Sequence, residues 1–260
     1  MVVAVGRPAT KYEETAGVAA LCLHDMRISE PEGSIRAIRS LQERFGIPVT
    51  LHLVVDAPLR PEGPFEQFLS EGSASGRLEV VFHGTTHACP PGTGGWLVPY
   101  HKNQAEYLHD DAGLREATIG AWDQAKAILG PMGICPPCWI ATAANWRFLS
   151  SLEPLYLESM WRLLRGRRSL PVPVVSLGSP DPAELRGLRL LGRMTRVLGL
   201  LPGLRRWRVV LHPCDLEVPS SMVYFDAAVE KLRNGGVSFV RQRDLWTPSG
   251  TPAKVASTAD

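Results

Sequence analysis

Six residues able to do acid, base or ligand chemistry stand where apolar runs of this sequence end. His24 and Asp25 close VAALCLHD, His83 closes LEVVFHG with His87 just beyond, and His212 closes WRVVLHP shortly before Asp215. Four of the seven histidines and two aspartates thus share one kind of position. Two imidazoles and one carboxylate make a donor set for zinc or a similar divalent ion at about 2.0–2.2 Å, with the remaining positions open to water and substrate. An open position marks a catalytic rather than a structural metal site. The pair His83-x-x-x-His87 carries little weight alone, because loop histidines are common. Its weight comes from what the other runs carry at their ends.

Those ends meet only if the runs are neighbouring strands. VAALCLHD (18–25), VTLHLVVD (49–56), LEVVFHG (78–84), ICPPCWIA (134–141), VPVVSLG (172–178) and WRVVLHP (207–213) read as buried strands, VSFVRQRDL (237–245) closes the pattern, and 156–165 reads as a weak strand or helix. Between them, EGSIRAIRSLQERFG sets Ile35, Ile38, Leu41 and Phe45 on one helical stripe and stops at Gly46, a natural C-terminal cap. A shorter helix covers Phe65 to Leu69, another spans 111–130 with Asp111 as N-cap and Gly130 as stop, a short one starts at Asn145, and FDAAVEKLRNGG supplies the last. Alternating strands and helices predict a parallel sheet with helices outside, and in one domain of this length they favour a (β/α) barrel. Barrel chemistry sits on the loops at the strands' C-terminal ends, where the six residues fall. The barrel is expected over 18–246, between an N-terminal extension (1–17) and a flexible tail (247–260).

The ordered set LCLHDM, EVVFHGTTH, CPPCWIAT and VVLHPCD resembles the polysaccharide deacetylase (NodB-homology) superfamily, in particular a divergent bacterial branch whose strand ends read His-Asp, His-Gly-x-x-His, Pro-Pro-x-Trp and His-Pro-x-Asp. The resemblance covers about residues 18–245. It implies a distorted barrel of about seven strands and metal-dependent hydrolysis of an N-acyl group, acetyl above all, from an amino sugar or glycoconjugate. It makes Asp25, His83 and His87 the ligands of a divalent metal, zinc by preference, and His212 the general acid that protonates the departing amine. Asp215 either orients His212 or caps its own turn. Pro137 and Trp139, with Trp96 of the long loop after strand three, are expected to line the substrate site, although Trp139 also suits a plain core role.

The better-known carbohydrate esterases of this superfamily carry Asp-Asp in the first motif, the first Asp being the base, and an Arg in the third that tethers it. This chain has His24 at the first position and no Arg in CPPCW. The base is therefore His24, or Asp215, or the metal-bound water needs little help. Hydrolysis of another C–N bond, in a cyclic imide or formamide, and a non-catalytic protein that keeps its metal are the alternatives. Glu79 shares strand parity with His83 and is expected to satisfy a buried basic residue, and His52, in mid-strand, to be a hydrogen-bonded core residue.

Bulk properties constrain the rest. The 260 residues are 45% hydrophobic and 21% charged, an ordinary globular balance, and a net charge of +2 gives no sign of a nucleic-acid partner. Five scattered cysteines argue for free thiols, and with no leader-like or long apolar segment in view the chain is expected to be cytoplasmic. Residues 162–208 hold eleven arginines, no lysine and only Asp181 and Glu184 as acids. That stretch is either a solvated basic face on a covering helix or a contact for phosphate or a membrane surface, which would suit a phosphorylated or lipid-linked substrate.

Overall fold

The computed structural model describes residues 17–88, 104–176 and 205–247. Trp96, most of the long loop and the centre of the arginine-rich stretch lie outside the described residues. The chain opens β1 (Val18–Arg27), α1 (Pro31–Phe45), β2 (Val49–Val54), α2 (Pro64–Ala74), β3 (Leu78–Phe82). It continues α3 (Ala112–Leu129), β4 (Gly133–Ile134), α4 (Ala143–Ser151), β5 (Leu157–Glu158), β6 (Arg162–Arg165), β7 (Arg168–Pro171), β8 (Val174–Ser176), β9 (Arg206–Leu211), α5 (Pro213–Leu216), α6 (Pro219–Asn234) and β10 (Ser238–Phe239). The strands form one sheet in the order β7-β6-β5-β4-β3-β2-β1-β9-β8, with β10 pairing β1. All pairings are parallel except β5–β6 and β6–β7. This is the expected α/β barrel in its distorted form.

Local chemistry explains the elements. Gly46 takes the left-handed conformation that ends α1, and its N–H returns to the Gln42 carbonyl. The Asp111 carboxylate caps α3 by accepting from Leu114 N–H at 3.0 Å. Strand alternation then divides the sheet into two faces. Leu21, Leu23, Leu51, Leu53, Val80, Phe82, Val209 and Leu211 pack outward against Ile38, Leu41, Trp122, Phe225 and Val229 of the helices. The opposite parity faces the barrel interior, with Ala20, Cys22, Val81, Cys135, Tyr156 and Val210 in a smaller apolar cluster. None of the described helices is long and apolar enough to cross a membrane.

Three expectations are corrected. ICPPCWIA is not a strand over 134–141: only Gly133–Ile134 pairs, and a 3₁₀ turn follows at Pro137–Trp139, because Pro136 and Pro137 have no N–H to give a ladder. The arginines are not on one covering helix where the chain is described: Arg162, Arg165 and Arg168 belong to the β6–β7 hairpin, and Arg206 and Arg208 to β9. VSFVRQRDL pairs only at Ser238–Phe239 before turning into a 3₁₀ segment, Gln242–Trp246.

Candidate metal and catalytic centre

Neighbouring residues of a regular strand point to opposite faces, yet His24 and Asp25 reach the same end of the barrel. The pairing of β1 with β2 steps from Leu23↔Leu51 to Met26↔Leu53, so β1 carries one extra residue there. Asp25 takes φ +58°, the local conformation that a bulge uses to re-aim a side chain. His24 keeps the inward parity of Ala20 and Cys22, while Met26 has moved to the outer face with Leu21 and Leu23.

The second pair comes from the end of β3 and the loop after it. Glu106, itself buried, accepts from the backbone N–H groups of Thr85 at 2.9 Å, Thr86 at 2.8 Å and His87 at 2.7 Å, and from the Thr86 hydroxyl at 2.8 Å. One carboxylate thereby satisfies a whole turn of backbone and fixes His87 at φ +52°. Gly84, at φ +90°, has no room for a Cβ, which would collide with the Glu106 carboxylate. Nothing in the sequence near the motif marks Glu106, because its partners are backbone groups about twenty positions earlier.

The ligating atoms converge. Asp25 Oδ1 lies 3.2 Å from His83 Nε2 and 3.0 Å from His87 Nε2, and the two imidazole nitrogens are 3.3 Å apart. Tetrahedral bonds of about 2.0–2.1 Å to zinc require donor separations of about 3.3–3.4 Å, so the triad has the size of one face of such a site. His83 Nδ1–H donates to the Cys135 carbonyl at 2.8 Å, which turns the Nε2 lone pair toward Asp25. Two lone pairs facing each other need a positive centre between them, either a second proton on the imidazole or a metal ion. The residues present therefore fit a divalent cation. Burial pushes the Asp25 carboxyl up, but hydrogen bonds and charge from His83 and His87 outweigh it and hold it well below the usual carboxylate range.

His24, His212 and Asp215 flank this face. One donor atom each of His24, Asp25 and His212 lies within 4.8 Å of the others. His24 is buried, and burial first, then the neighbouring His52 and His83, keep its imidazole well below the usual value, so it is neutral near pH 7. His212 leaves β9 as the N-cap of α5, its side chain 30% exposed, with Nδ1 3.5 Å from Asp215 Oδ2. The fully buried Asp215 also accepts from the His212 backbone N–H at 2.8 Å, so it both caps the turn and sits beside the ring. Pro137 is buried and packs close to Gly84, and the half-buried Trp139 ring lies 5.0 Å from His24.

Below lies a network that motif reading missed. Glu158, fully buried, accepts from Arg208, from Trp139 Nε1–H at 2.9 Å, from His52 Nε2–H at 2.8 Å and from Gln242 Nε2–H at 2.6 Å. His24, His52, Cys135 and Glu158 also bring one donor atom each within 4.8 Å. With four donors on its carboxylate, however, Glu158 has nothing left for a cation. Deeper still, Glu79 binds Tyr156 at 2.7 Å and Arg243 at 3.2 Å, so it pairs with a basic residue as expected, but with one whose side chain is 33% exposed and not buried.

A distorted parallel barrel of this kind is the fold of the NodB-like deacetylases, the family 4 carbohydrate esterases. Among solved structures the chain is similar to a family 4 acetyl xylan esterase from Clostridium thermocellum in complex with a cobalt ion, at TM-score 0.50 and 15% identity, over 90% of this chain and 93% of that one. It is similar to a peptidoglycan deacetylase from Bacillus subtilis at TM-score 0.50 and 16% identity, over 88% and 90% of the two chains. A family 4 pseudoenzyme from Bacillus anthracis matches at TM-score 0.50 and 12% identity, over 88% of this chain and 65% of that one. No protein-family model and no curated protein matches the sequence.

Proposed function

We propose that this chain is a metal-dependent hydrolase that removes an N-acyl group, acetyl in the first instance, from an amino sugar or glycoconjugate. The observation that carries this reading is the convergence of Asp25, His83 and His87 donors to 3.0–3.3 Å at the open end of the barrel, beside two further histidines. A divalent ion on these ligands, zinc by our reading, supplies a Lewis acid that polarises the acyl carbonyl and acidifies water. His24, kept neutral by burial, accepts the proton of the attacking water. His212 gives a proton to the departing amine nitrogen, and the buried Asp215 carboxylate stands 3.5 Å from its ring. Pro137 and Trp139 form an apolar wall next to His24 for the acyl group or sugar ring.

The arginines of the β6–β7 hairpin suit an anionic substrate, phosphorylated or lipid-linked, or a membrane surface. Arg162, Arg165, Arg167 and Arg168 are exposed beside Trp161, which is 50% exposed. The buried thiols of Cys22 and Cys135 agree with a cytoplasmic location. Metal analysis combined with acetate release from a panel of N-acetylated sugars and sugar nucleotides tests the function. Stoichiometric metal with acetate release supports it. Metal with release only from imides or formamides selects another C–N hydrolase, and metal with no turnover on any of these selects a binding protein. His212→Ala is expected to lower kcat by about a hundredfold with metal content unchanged, and loss of the metal would make His212 a ligand instead.

A further inference from the structure

The third motif of this chain has no Arg, and the first has His24 where the better-known esterases have Asp. A buried acid and a buried base nevertheless stand beneath His24, contributed by other elements. Glu158 ends β5 and Arg208 lies in β9; both side chains are fully buried and paired with each other. Arg208 spends its other donors on main-chain carbonyls, to Ser159 at 2.6 Å, Met160 at 3.0 Å and Val172 at 2.7 Å. The guanidinium is thus locked to the sheet, and it locks the carboxylate in turn.

The remaining capacity of Glu158 goes to the floor and wall of the site. Its bond to His52 Nε2–H fixes that ring's tautomer and plane. The His52 ring stacks on His24 with centroids 3.7 Å apart and planes 20° apart. Trp139, held by Nε1–H to the same carboxylate, lies 5.0 Å from His24 with the two rings tilted by 50°. Both Cys138 and Trp139 have left-handed backbone, φ 56° and 59°, a conformation that a fixed external partner must sustain. His24 Nε2 is buried and without a hydrogen-bond partner among the described residues, so stacking and packing hold this ring.

We propose that Glu158 is a positioning residue for His24: anchored by Arg208, it holds His52 and Trp139, and these two rings seat His24 beside the Asp25, His83 and His87 triad. The tether absent from the usual motif is rebuilt from β5 and β9, acting through an aromatic stack instead of a direct ion pair. This assignment rests on the reading of His24 as the base.

The test replaces the ion pair by apolar residues of similar size, Glu158→Leu with Arg208→Met, because removing both charges avoids stranding one. In zinc-loaded protein, kcat for the best substrate of the panel is expected to fall by about a hundredfold, with KM and metal stoichiometry unchanged. Nitrogen-15 imidazole spectra should show loss of the Nε2–H form of His52, and proton contacts between His24 and the His52 and Trp139 rings should weaken. A rate near that of the parent protein overturns the proposal. His52→Phe keeps a stacked ring but cuts the tie to Glu158, and should lower kcat by about tenfold; should the double variant fail to fold, this variant decides, and an unchanged rate again overturns the proposal. If no substrate of the panel is turned over, the spectra decide alone: ring contacts of His24 unchanged in the double variant dismiss the positioning role, whatever becomes of the deacetylase reading.

Discussion

The mouth of the barrel and the layer beneath it solve the same problem in different ways. At the mouth, three donors come from two short contiguous stretches, and local backbone devices aim them: a bulge at Asp25, a glycine at Gly84, and a left-handed His87 pinned by Glu106. In the layer beneath, Glu158, Arg208, His52 and Gln242 come from four separate segments of chain, and ordinary strand alternation faces the strand residues inward. The mouth depends on turn chemistry and the lower layer on the register of the whole sheet. Damage to the first should cost the metal and spare the fold. Damage to the second should cost stability first.

The largest effect that would break this contrast is expected from His83→Ala. It removes one of three donors together with the bond to the Cys135 carbonyl, and metal content by elemental analysis should fall nearly to nothing under conditions that saturate the parent protein. Retention of a full equivalent would show that the triad is not the site. Next comes Arg208→Ala, which strands the Glu158 charge in the interior and should destabilise the protein by about 3–5 kcal/mol in a denaturant titration. Metal affinity, measured well below the transition, should stay within about threefold of the parent value, a smaller change than loss of an outer-shell partner to a ligand causes.

Glu106→Gln sharpens the boundary between the two regions, since Glu106 is buried like the lower layer yet serves the mouth. An amide in its place turns one acceptor into a donor facing backbone N–H groups, and a competition titration should show metal affinity lower by about 10–100-fold. An unchanged affinity would mean that the loop holds His87 without it.

The smallest effect concerns acid. Burial keeps His52 below the ordinary imidazole value, and Glu158, although pushed up by burial, is held well below the ordinary carboxylate value by Arg208 and His52. As pH falls below about 6.5, the unfolded chain takes up a proton at His52 that the folded chain refuses, and below about 4.3 the same holds for Glu158. The unfolded state then binds more protons, so stability falls with falling pH, by at most about 1.4 kcal/mol per unit for each group. Denaturant midpoints between pH 8 and pH 5 should decline in the parent protein and decline less steeply in His52→Phe; equal slopes would show that His52 titrates alike in both states.

The same contrast explains what could be read from the sequence. Much of the fold was legible because β1 and β2 are short apolar runs, each followed by a helix, and helix ends carry ordinary caps such as Gly46 and Asp111. The residues at the mouth were legible because each lies at the end of such a run. The inward parity of Glu79 and the core position of His52 could also be read, since each is an ionisable residue inside a largely apolar run. Glu158 and Arg208 were not. Glu158 sits in a two-residue strand that gives no periodicity, and Arg208 is one of many arginines whose composition suggested a surface. Only sheet register, which brings β5 and β9 across the interior, distinguishes it from its partly buried neighbours Arg205 and Arg206. Glu106 escaped for another reason: three of its four donors are amide hydrogens, which every residue but proline has.

The bulge in β1 carries a consequence for how such a site can change over generations. Because Asp25 is the added residue and His24 keeps the strand's own alternation, the side chain at 24 can be exchanged without redirecting the one at 25. Metal binding and proton handling are then inherited as separate traits written on adjacent codons. A lineage can trade one proton acceptor for another, or lose it, while the ligand beside it stays in place.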